Sequence, residues 1–335
     1  MNIIFGNNAS AQLESLMVGY DNIFILTDEN ISKIYSSMLA SLPYKKIIIP
    51  AGEENKNIDT VNFIWNRLLE GNASRDSLLL NLGGGTISDI GGFAASCFKR
   101  GIDFINVPTT LLAMVDASIG GKNGINFNNY KNQIGTFAEA ESVIINPQFL
   151  KTLNERDIKS GLAEMMKYAF IADDSFLDLD SDNYLSYIEK AATIKNDVVN
   201  MDFKESGLRK MLNFGHTVGH ALESYYLDKE NYLTHGEAVA LGMYSALYLS
   251  VKYCGLDSQW LFFYEMWFKG NLNILNLKDF DVESIFSYIS HDKKNKNGSP
   301  RFVLISAPEK PQIDVEVSVD DIKEAIFILK DKFSE

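Results

Sequence analysis

Short apolar runs alternate with segments of helical spacing over the first 150 residues. The runs Asn22–Thr27, Lys46–Pro50, Ser77–Leu82 and Asp103–Val107 have the length and composition of strands. Between Asn55 and Gly71 the apolar residues recur every three or four positions, which predicts a helix that stops at Gly71. Strands that alternate with helices are typical of a parallel sheet with crossover helices. We therefore predict an α/β domain over residues 1–150.

From about residue 150 the apolar positions keep helical spacing over long segments, and we place a domain boundary there. The segment Ser160–Ile171 predicts a helix on which Glu164 and Lys167 stand three apart among apolar residues. A charge on an apolar face needs a partner or a metal, although an ordinary helix ion pair explains the same spacing. We expect a second, mainly α-helical domain over residues 151–335.

Three of the four histidines fall between residues 213 and 237. His216 and His220 are four apart, so on a helix both rings lie on one face, as metal ligands or acid–base groups do. A zinc protease helix would carry Glu after the first histidine; Thr217 occupies that place, which excludes this class. His235 opens a segment that predicts a helix, so its ring lies at a helix N-terminus. Ordinary helix histidines satisfied by hydrogen bonds remain the alternative.

A run of three glycines, Gly83–Gly85, connects the strand Ser77–Leu82 to a predicted helix from Thr86 to Cys97. Bare backbone N–H groups and the positive end of a helix dipole can hold a phosphate there, although a simple tight turn explains the same glycines. Asp28 and Gly52–Glu53 also follow strand ends, where open α/β sheets bind ligands. These acidic residues precede the glycine turn, whereas a dinucleotide fingerprint has its acidic residue about twenty positions later. We predict a nucleotide site that differs from the usual Rossmann unit.

Cationic side chains stand beside several of these segments. Gly120 and Gly121 let the backbone approach a ligand closely, and Lys122 follows them with an ammonium for an anionic group. Further basic residues occur at Lys131 beside Asn132, at Lys195 and Arg209 ahead of Asn213 in segments expected to be helical, and at Lys293 and Lys294 in a polar loop. A solvated loop explains each lysine taken alone, so the pattern indicates anion binding only as a set.

Composition narrows the class of protein. A formal net charge of −13 argues against binding a nucleic-acid backbone, and no segment carries eighteen uncharged apolar residues that could span a membrane. The N-terminus lacks a basic region followed by an apolar run, so we expect a cytoplasmic protein. Cys97 and Cys254 are too few for a disulfide framework or a four-cysteine zinc site. Any metal must therefore bind through histidine and carboxylate.

Taken together, the motifs resemble those of the 3-dehydroquinate synthase family over roughly residues 20 to 306. They are Gly83-Gly-Gly-x-x-x-Asp89, Val107-Pro-Thr-Thr-Leu-Leu112, Val115-Asp-x-Ser-x-Gly-Gly-Lys122, Lys131-Asn-x-Ile-Gly135, Ala163-Glu-x-x-Lys167, Leu212-Asn-Phe-Gly-His-Thr-x-Gly-His-Ala221 and His235-Gly-Glu-Ala-Val239. The resemblance implies an N-terminal domain that carries NAD, a C-terminal domain that carries a divalent metal (zinc, with cobalt as the alternative), a substrate cleft between them and a homodimer.

Site residues carry over by position. The resemblance implies the metal ligands Glu164, His216 and His235, with His220 a histidine close to substrate rather than a ligand. It implies the cofactor contacts Asp28, Glu53, Lys56, Gly84, Gly85, Asp89, Thr109 and Thr110. It implies the substrate contacts Asp116, Lys131, Lys195, Arg209, Asn213 and one of Lys293 or Lys294. His220, Lys122, Lys167, Asn132 and Arg100 would be catalytic, with Arg100 reaching the neighbouring subunit.

The implied reaction converts 3-deoxy-D-arabino-heptulosonate 7-phosphate, a small anionic sugar-acid phosphate, to 3-dehydroquinate and phosphate in the shikimate pathway. NAD oxidises one carbinol, phosphate leaves by elimination, the hydride returns, and ring opening precedes an aldol closure. The chain departs from the family pattern at Ser88, Tyr130 and Phe137–Ala140, beside the cofactor and phosphate positions. The alternatives are a sister cyclase of the 2-deoxy-scyllo-inosose or valiolone synthase type, a metal-dependent polyol dehydrogenase, and a non-catalytic binding protein.

Overall fold

A computed structural model of the chain describes residues 1–6, 9–128, 130–226, 229, 232–272, 277, 280–290 and 300–333. The strands are β1 (Asn2–Phe5), β2 (Ile23–Asp28), β3 (Lys45–Ile49), β4 (Leu78–Gly83), β5 (Asp103–Pro108), β6 (Lys122–Phe127), β7 (Tyr130–Phe137), β8 (Ser142–Ile145), β9 (Arg301–Ile305) and β10 (Pro311–Glu316).

The helices are α1 (Ala9–Leu16), α2 (Glu29–Ile34), α3 (Ser36–Ser41), α4 (Ile58–Glu70), α5 (Gly85–Cys97), α6 (Glu155–Ile171), α7 (Ile188–Met201), α8 (His216–Tyr226), α9 (His235–Cys254), α10 (Gln259–Asn271), α11 (Val282–Ser290) and α12 (Val319–Phe333). Short 3₁₀ segments cover Glu53–Asn55, Phe98–Arg100, Pro147–Thr152, Asp174–Asp178, Tyr184–Tyr187 and Leu208–Asn213, and a π-turn covers Ala113–Ala117. Among the described residues, none of these helices has the length and apolar character that a bilayer span requires.

The chain forms two compact units. The first unit contains residues 1–154 and 195–204, and the second contains residues 155–194 and 205–335. The sequence analysis assigned residues 195–204 to the second domain, but these residues, which include the last part of α7, pack with the first unit. Periodicity shows that a segment is helical; it does not show which core the segment joins.

The first unit is built on a six-stranded parallel sheet in the order β1-β8-β5-β4-β2-β3. All six residues of β4 are buried, because helices cover both faces of such a sheet and its strands become continuous apolar runs. Leu78, Leu80 and Leu82 of β4 join Ile105 and Ile144 in one core cluster. The predicted α/β class with a parallel sheet is confirmed.

Two features of the first unit were not predicted. The short strands β1 and β8 extend the sheet at one edge. The segment that contains Lys122, Lys131 and Asn132, for which no strand was predicted, is an antiparallel hairpin formed by β6 and β7. Polar residues such as Lys122 and Asn123 interrupt the apolar pattern of β6, so the segment lacks the sequence signature of a strand.

The second unit is mainly helical, as predicted. Its central helix α9 is buried on all sides over most of its length, which is expected of a helix that is apolar all round. A Cβ added to Gly236 would lie 1.9 Å from the carbonyl oxygen of Ser160, and one added to Gly242 would lie 1.9 Å from that of Gly215. Glycine at these positions lets α9 contact α6 and the start of α8 at backbone distance.

Candidate active site

Three helices of the second unit bring one carboxylate and two imidazoles together. Oε1 of Glu164 on α6 lies 3.3 Å from Nε2 of His216, the first residue of α8, and 3.3 Å from Nε2 of His235, the first residue of α9. Glu164 is 1% exposed, and its Oε1 has no hydrogen-bond partner among the described residues. A tetrahedral metal with ligand distances of about 2.0–2.2 Å separates its ligands by about 3.3–3.6 Å. This donor set therefore fits a divalent metal.

The second nitrogen of each imidazole contacts an acceptor. Nδ1 of His216 lies 3.1 Å from the carbonyl oxygen of Phe214, and Nδ1 of His235 lies 3.4 Å from Oε2 of Glu223. A carbonyl can only accept, so Nδ1 of His216 carries the proton and a neutral ring leaves its Nε2 lone pair for a metal. Acceptors of this kind orient metal-binding histidines in proteins.

The electrostatics of this cluster also favour a cation. Burial alone would raise the pKa of Glu164, but Lys167, which contacts Oε2, and His216 hold that pKa well below its usual value. Burial also lowers the pKa of His216, which keeps its ring in the neutral form that binds metals. Burial opposes protonation of His235 as well, yet Glu223 and Glu164 raise its pKa to about 10. Two carboxylates therefore attract positive charge to this ring.

His220 lies on the same side of α8 as His216, as the four-residue spacing predicts. Ligand atoms of His216, His220 and His235 all lie within 4.8 Å of one another. Two donor sets are thus available: the three histidines, or Glu164 with His216 and His235. The 3.3 Å contacts of Glu164 Oε1 favour the second set, which is the one implied by the resemblance.

Further contacts fix the start of α9, which carries His235. Thr234 caps the helix, and Glu237 completes the capping box. Both oxygens of Glu237 accept hydrogen bonds of 2.7 Å from Arg156 on α6, and the backbone N–H of Gly236 donates to Oγ of Ser160 at 3.0 Å. The roles of Thr234, Arg156 and Ser160 were not predicted from the sequence. The pattern Thr-x-x-Glu before an apolar run would have indicated the cap.

The other predicted residues of the second unit lie on α6 and in the 3₁₀ segment that precedes α8. Lys167 is buried on α6, and Arg209 is buried in the 3₁₀ segment Leu208–Asn213. Nδ2 of Asn213 donates to Oε1 of Glu205. Arg209 and Asn213 therefore occupy a 3₁₀ segment rather than an α-helix, and Glu205 has a positive φ of 58°. Lys293 and Lys294 lie outside the described residues.

In the first unit, the predicted cofactor residues gather at the carboxyl ends of the strands. Nζ of Lys56, which is 3% exposed, lies 2.7 Å from Oδ2 of Asp89 and 3.3 Å from Oε1 of Glu53. Oε2 of Glu53 accepts a hydrogen bond of 2.9 Å from Thr86. Burial would lower the pKa of Lys56, but Asp89 and Glu53 raise it, so the ammonium is retained. The polar groups converge beside the N-terminus of α5, which is capped by Gly84.

The remaining cofactor residues border the same region. Asp28 ends β2 and caps α2 by accepting from the N–H of Ile31 at 2.9 Å. The N–H of Thr109 donates to the carbonyl of Gly83 at 2.9 Å, and its buried Oγ1 has no partner in the part of the chain that the structure describes. A Cβ on Gly84 would lie 3.1 Å from Cγ2 of Thr110. The hydroxyl of Thr109, directly after β5, is thus available to a ligand.

The first unit also contains predicted substrate and catalytic residues. Nζ of Lys195 lies 2.6 Å from both the carbonyl oxygen and Oδ1 of Asp116. Lys122 begins β6, and Lys131 and Asn132 belong to β7, so the hairpin carries all three. Arg100 is exposed in a turn where φ is 50° at Lys99, 71° at Arg100 and 114° at Gly101. Consecutive positive φ values in non-glycine residues store strain, which occurs preferentially at functional sites.

Comparisons with known proteins cover both units. A profile described as 3-dehydroquinate synthase N-terminal matches residues 46–160, and one described as 3-dehydroquinate synthase C-terminal matches residues 161–295. The 3-dehydroquinate synthase of Clostridium tetani is 40% identical over 320 residues, covering 91% of this chain and 84% of that protein. The 3-dehydroquinate synthase of Parabacteroides distasonis is 40% identical over 327 residues, covering 94% and 93%.

Solved structures share the fold. A 2-deoxy-scyllo-inosose synthase complexed with carbaglucose-6-phosphate, NAD+ and Co2+ has a TM-score of 0.85 at 25% identity, with 97% of this chain and 95% of that chain covered. The 2-epi-5-epi-valiolone synthase ValA from Streptomyces hygroscopicus, with NAD+ and Zn2+ bound, has a TM-score of 0.88 at 24% identity, with 99% and 97% covered. A probable glycerol dehydrogenase from Sinorhizobium meliloti 1021 has a TM-score of 0.66 at 12% identity, with 98% and 96% covered.

Proposed function

The chain belongs to the 3-dehydroquinate synthase family, and we infer that it converts 3-deoxy-D-arabino-heptulosonate 7-phosphate to 3-dehydroquinate and phosphate. The observation that carries this inference is the match of both family profiles over residues 46–295, within which the donor set of Glu164, His216 and His235 is retained with metal-compatible spacing. We propose that these three residues hold a divalent metal and that the Lys56 cluster of the first unit contacts NAD.

The proposed metal and NAD would supply two kinds of chemistry. A bound divalent metal would act as a Lewis acid on a substrate hydroxyl. NAD would accept a hydride and return it within one turnover. The chain's own residues then have to bind anionic groups, orient the substrate and move protons.

Several side chains suit these tasks. Arg209 is 3% exposed, and its planar guanidinium can bind a carboxylate through two parallel hydrogen bonds. Lys195, held by Asp116, presents an ammonium to an anionic substrate. Lys122 and Lys131 on the hairpin suit the phosphate leaving group, whose charge grows as it departs. His220 lies beside the donor set, where an imidazole can transfer protons to and from a substrate.

One assay tests the proposed function. The protein is incubated with the heptulosonate phosphate, NAD and zinc, and released phosphate is followed together with absorbance at the NADH band. We expect phosphate to accumulate while NADH absorbance stays flat, because the hydride returns in each turnover. Growth of free NADH in step with product would instead support a polyol dehydrogenase.

A sister cyclase is the second candidate, because the inosose synthase complexed with carbaglucose-6-phosphate shares the fold. Glucose 6-phosphate, which has no carboxylate, separates the two. The resemblance suggests that inosose-forming relatives replace the lysine at the position of Lys195, which this chain retains. We therefore expect faster turnover of the heptulosonate phosphate; faster turnover of glucose 6-phosphate would overturn this choice.

We also propose that the enzyme is a homodimer in which Arg100 serves the neighbouring subunit, a role supported by its exposed, strained turn. Arg100→Ala and His216→Ala should each be nearly inactive alone. Mixed after dissociation and reassociation, they should regain up to about a quarter of wild-type activity, because half of the dimers are heterodimers with one intact site each. Heterodimers confirmed by mass spectrometry but without activity would contradict the shared site. Each variant mixed with itself is the control.

A further inference from the structure

The hairpin of β6 and β7 contains an irregularity at the predicted substrate contact Lys131 and the predicted catalytic residue Asn132. Ile125 pairs with Ile134, and Phe127 pairs with Tyr130. On β6, Asn126 alone separates Ile125 from Phe127. On β7, residues 131–133 separate Tyr130 from Ile134. Three residues of β7 thus face one residue of β6. Such bulges re-aim side chains beside active sites, and this one carries Lys131 and Asn132.

At the bulge, the side chain of Asn126 forms hydrogen bonds to β7 on one side and to Glu53 on the other. Its Oδ1 accepts a hydrogen bond of 2.9 Å from the backbone N–H of Asn132, which has a left-handed φ of 52°. Its Nδ2 donates to Glu53, at 3.0 Å to Oε1 and 3.2 Å to the backbone carbonyl. Its own N–H donates to the carbonyl of Lys56 at 2.8 Å. One residue therefore joins the bulge to two proposed cofactor contacts.

The chemistry of these partners requires an amide at position 126. A backbone N–H can only donate and a backbone carbonyl can only accept, so the orientation of the Asn126 amide is fixed by its neighbours. Aspartate has the same shape but could not donate, and it would place a second carboxylate beside Glu53. Lys131 acts in the same direction as Asn126, because both stabilise the ionised form of Glu53 and so help to lower its pKa against the effect of burial.

We propose that Asn126 is a positioning residue that couples the cofactor contact Glu53 to the bulge carrying Lys131 and Asn132. Through Asn126, the arrangement of Glu53 that binds NAD is the same arrangement that orders the bulge. This inference rests on the proposed function, because it takes Glu53 to contact NAD and Asn132 to act on the substrate. Asn126 itself touches neither.

Two substitutions distinguish the hydrogen bond from Asn126 to Glu53 from the one that Asn126 accepts from Asn132. Asn126→Asp keeps the acceptor for the N–H of Asn132 but removes the donor to Glu53 and adds repulsion. Asn126→Ala removes both ends. Asn57→Asp is the matched control, because it makes the same chemical change close to Lys56 at an N-cap, where aspartate caps α4 as well as asparagine does.

Calorimetric titration with NAD and amide hydrogen exchange at Asn132 provide the readouts. We expect Asn126→Asp to weaken NAD binding about tenfold or more while the Asn132 amide stays protected. We expect Asn126→Ala to weaken NAD binding and also to reduce protection of that amide by about tenfold, with a matching loss in kcat. Asn57→Asp should match the wild type. In the wild type, NAD should increase Asn132 protection, and in Asn126→Asp it should not.

Three outcomes decide the matter. Wild-type NAD affinity in Asn126→Asp, or an NAD-induced gain in Asn132 protection that survives this substitution, would overturn the coupling and leave the proposed function intact. A wild-type chain that binds no NAD would remove the cofactor assignment and the coupling together. If Asn126→Ala does not fold, Asn126→Asp alone decides, since both NAD measurements need only that variant.

Discussion

The two units carry buried charge in different ways. In the first unit, Lys56 contacts both Asp89 and Glu53, and Thr86 and Asn126 donate to the oxygens of Glu53. In the second unit, Lys167 contacts Oε2 of Glu164. Oε1 of that carboxylate is buried beside two imidazole nitrogens, with no hydrogen-bond partner within the described ranges.

The two units would therefore bind their ligands in different ways. An unpaired buried polar atom costs free energy, and a carboxylate oxygen costs more than a neutral one. In the first unit, the charged groups of the Lys56 cluster already pair with one another, so we propose that NAD binds to a site whose side chains are ordered before it arrives. The second unit brings one carboxylate oxygen within 3.3 Å of each of two imidazole nitrogens, and we propose that a cation binds among them.

The largest effect should come from His216→Ala. Loss of one of three ligands should remove metal and lower turnover by more than about 1000-fold, because the Lewis acid is lost with it. Elemental analysis after gel filtration measures the metal content. His220→Ala is the matched variant on the same helix face: we expect it to keep the metal and lose rate. If His220→Ala loses metal and Glu164→Gln keeps it, the three-histidine set is correct and our assignment is wrong.

Lys56→Met tests the opposite claim, that the first unit depends on internal pairing. Removing the ammonium leaves the carboxylates of Glu53 and Asp89 without their cation. The loss of one partner from a buried ion pair lowers the free energy of unfolding by about 3–5 kcal/mol. The side chains of Glu53 and Asp89 are 32% and 18% exposed, so we expect the lower end of that range, about 3 kcal/mol. Urea unfolding measures it. Adding Asp89→Asn should recover part of the loss; no recovery would show that packing alone was disturbed.

Metal removal should affect the second unit alone. At a metal concentration of 100 times its Kd, binding contributes about 2.7 kcal/mol to stability, which a chelator should abolish. Differential scanning calorimetry measures the shift, and zinc or cobalt should restore it where magnesium does not, because imidazole ligands favour the former. The NAD affinity of the chelated protein should remain unchanged. If a chelator weakened NAD binding strongly, the prediction that NAD binds independently of the metal would be wrong.

The smallest effect should come from Ser88→Gly, which introduces the glycine that the family resemblance implies at this position. Oγ of Ser88, on the buried side of α5, donates to the carbonyl of Gly84 at 3.3 Å. The substitution removes this bond and places glycine inside a helix, for a loss of about 1 kcal/mol. Thermal unfolding measures the change. Ser88→Ala separates the two contributions, since alanine keeps helix propensity without the bond, and NAD affinity should stay constant in both.

Much of the fold and site could be predicted from the sequence. The apolar runs located β2, β3, β4 and β5 to within one residue at each end, and the glycine turn located the start of α5. The spacing of His216 and His220 predicted one helix face, and His235 was correctly expected at a helix N-terminus. Each of these features depends on residues that are close in the chain, so local periodicity and capping encode them.

Other features could not be predicted because they depend on contacts distant in sequence. Glu223 is an ordinary helical glutamate until the start of α9 brings His235 within 3.4 Å of it. Lys195 stands on a regular helix, and only packing places it with the first unit, beside Asp116.

Local sequence patterns encode the helices and strands and the residue types that carry chemistry. Packing between elements brings particular residues of these types into contact. It formed a hairpin from the segment that contains Lys122, Lys131 and Asn132, and in the bulge of that hairpin the N–H of Asn132 donates to Asn126. It also left Oε1 of Glu164 between two imidazoles. The physical reason is that side-chain periods of two and 3.6 residues act within one element, whereas pairing of buried polar groups acts between elements.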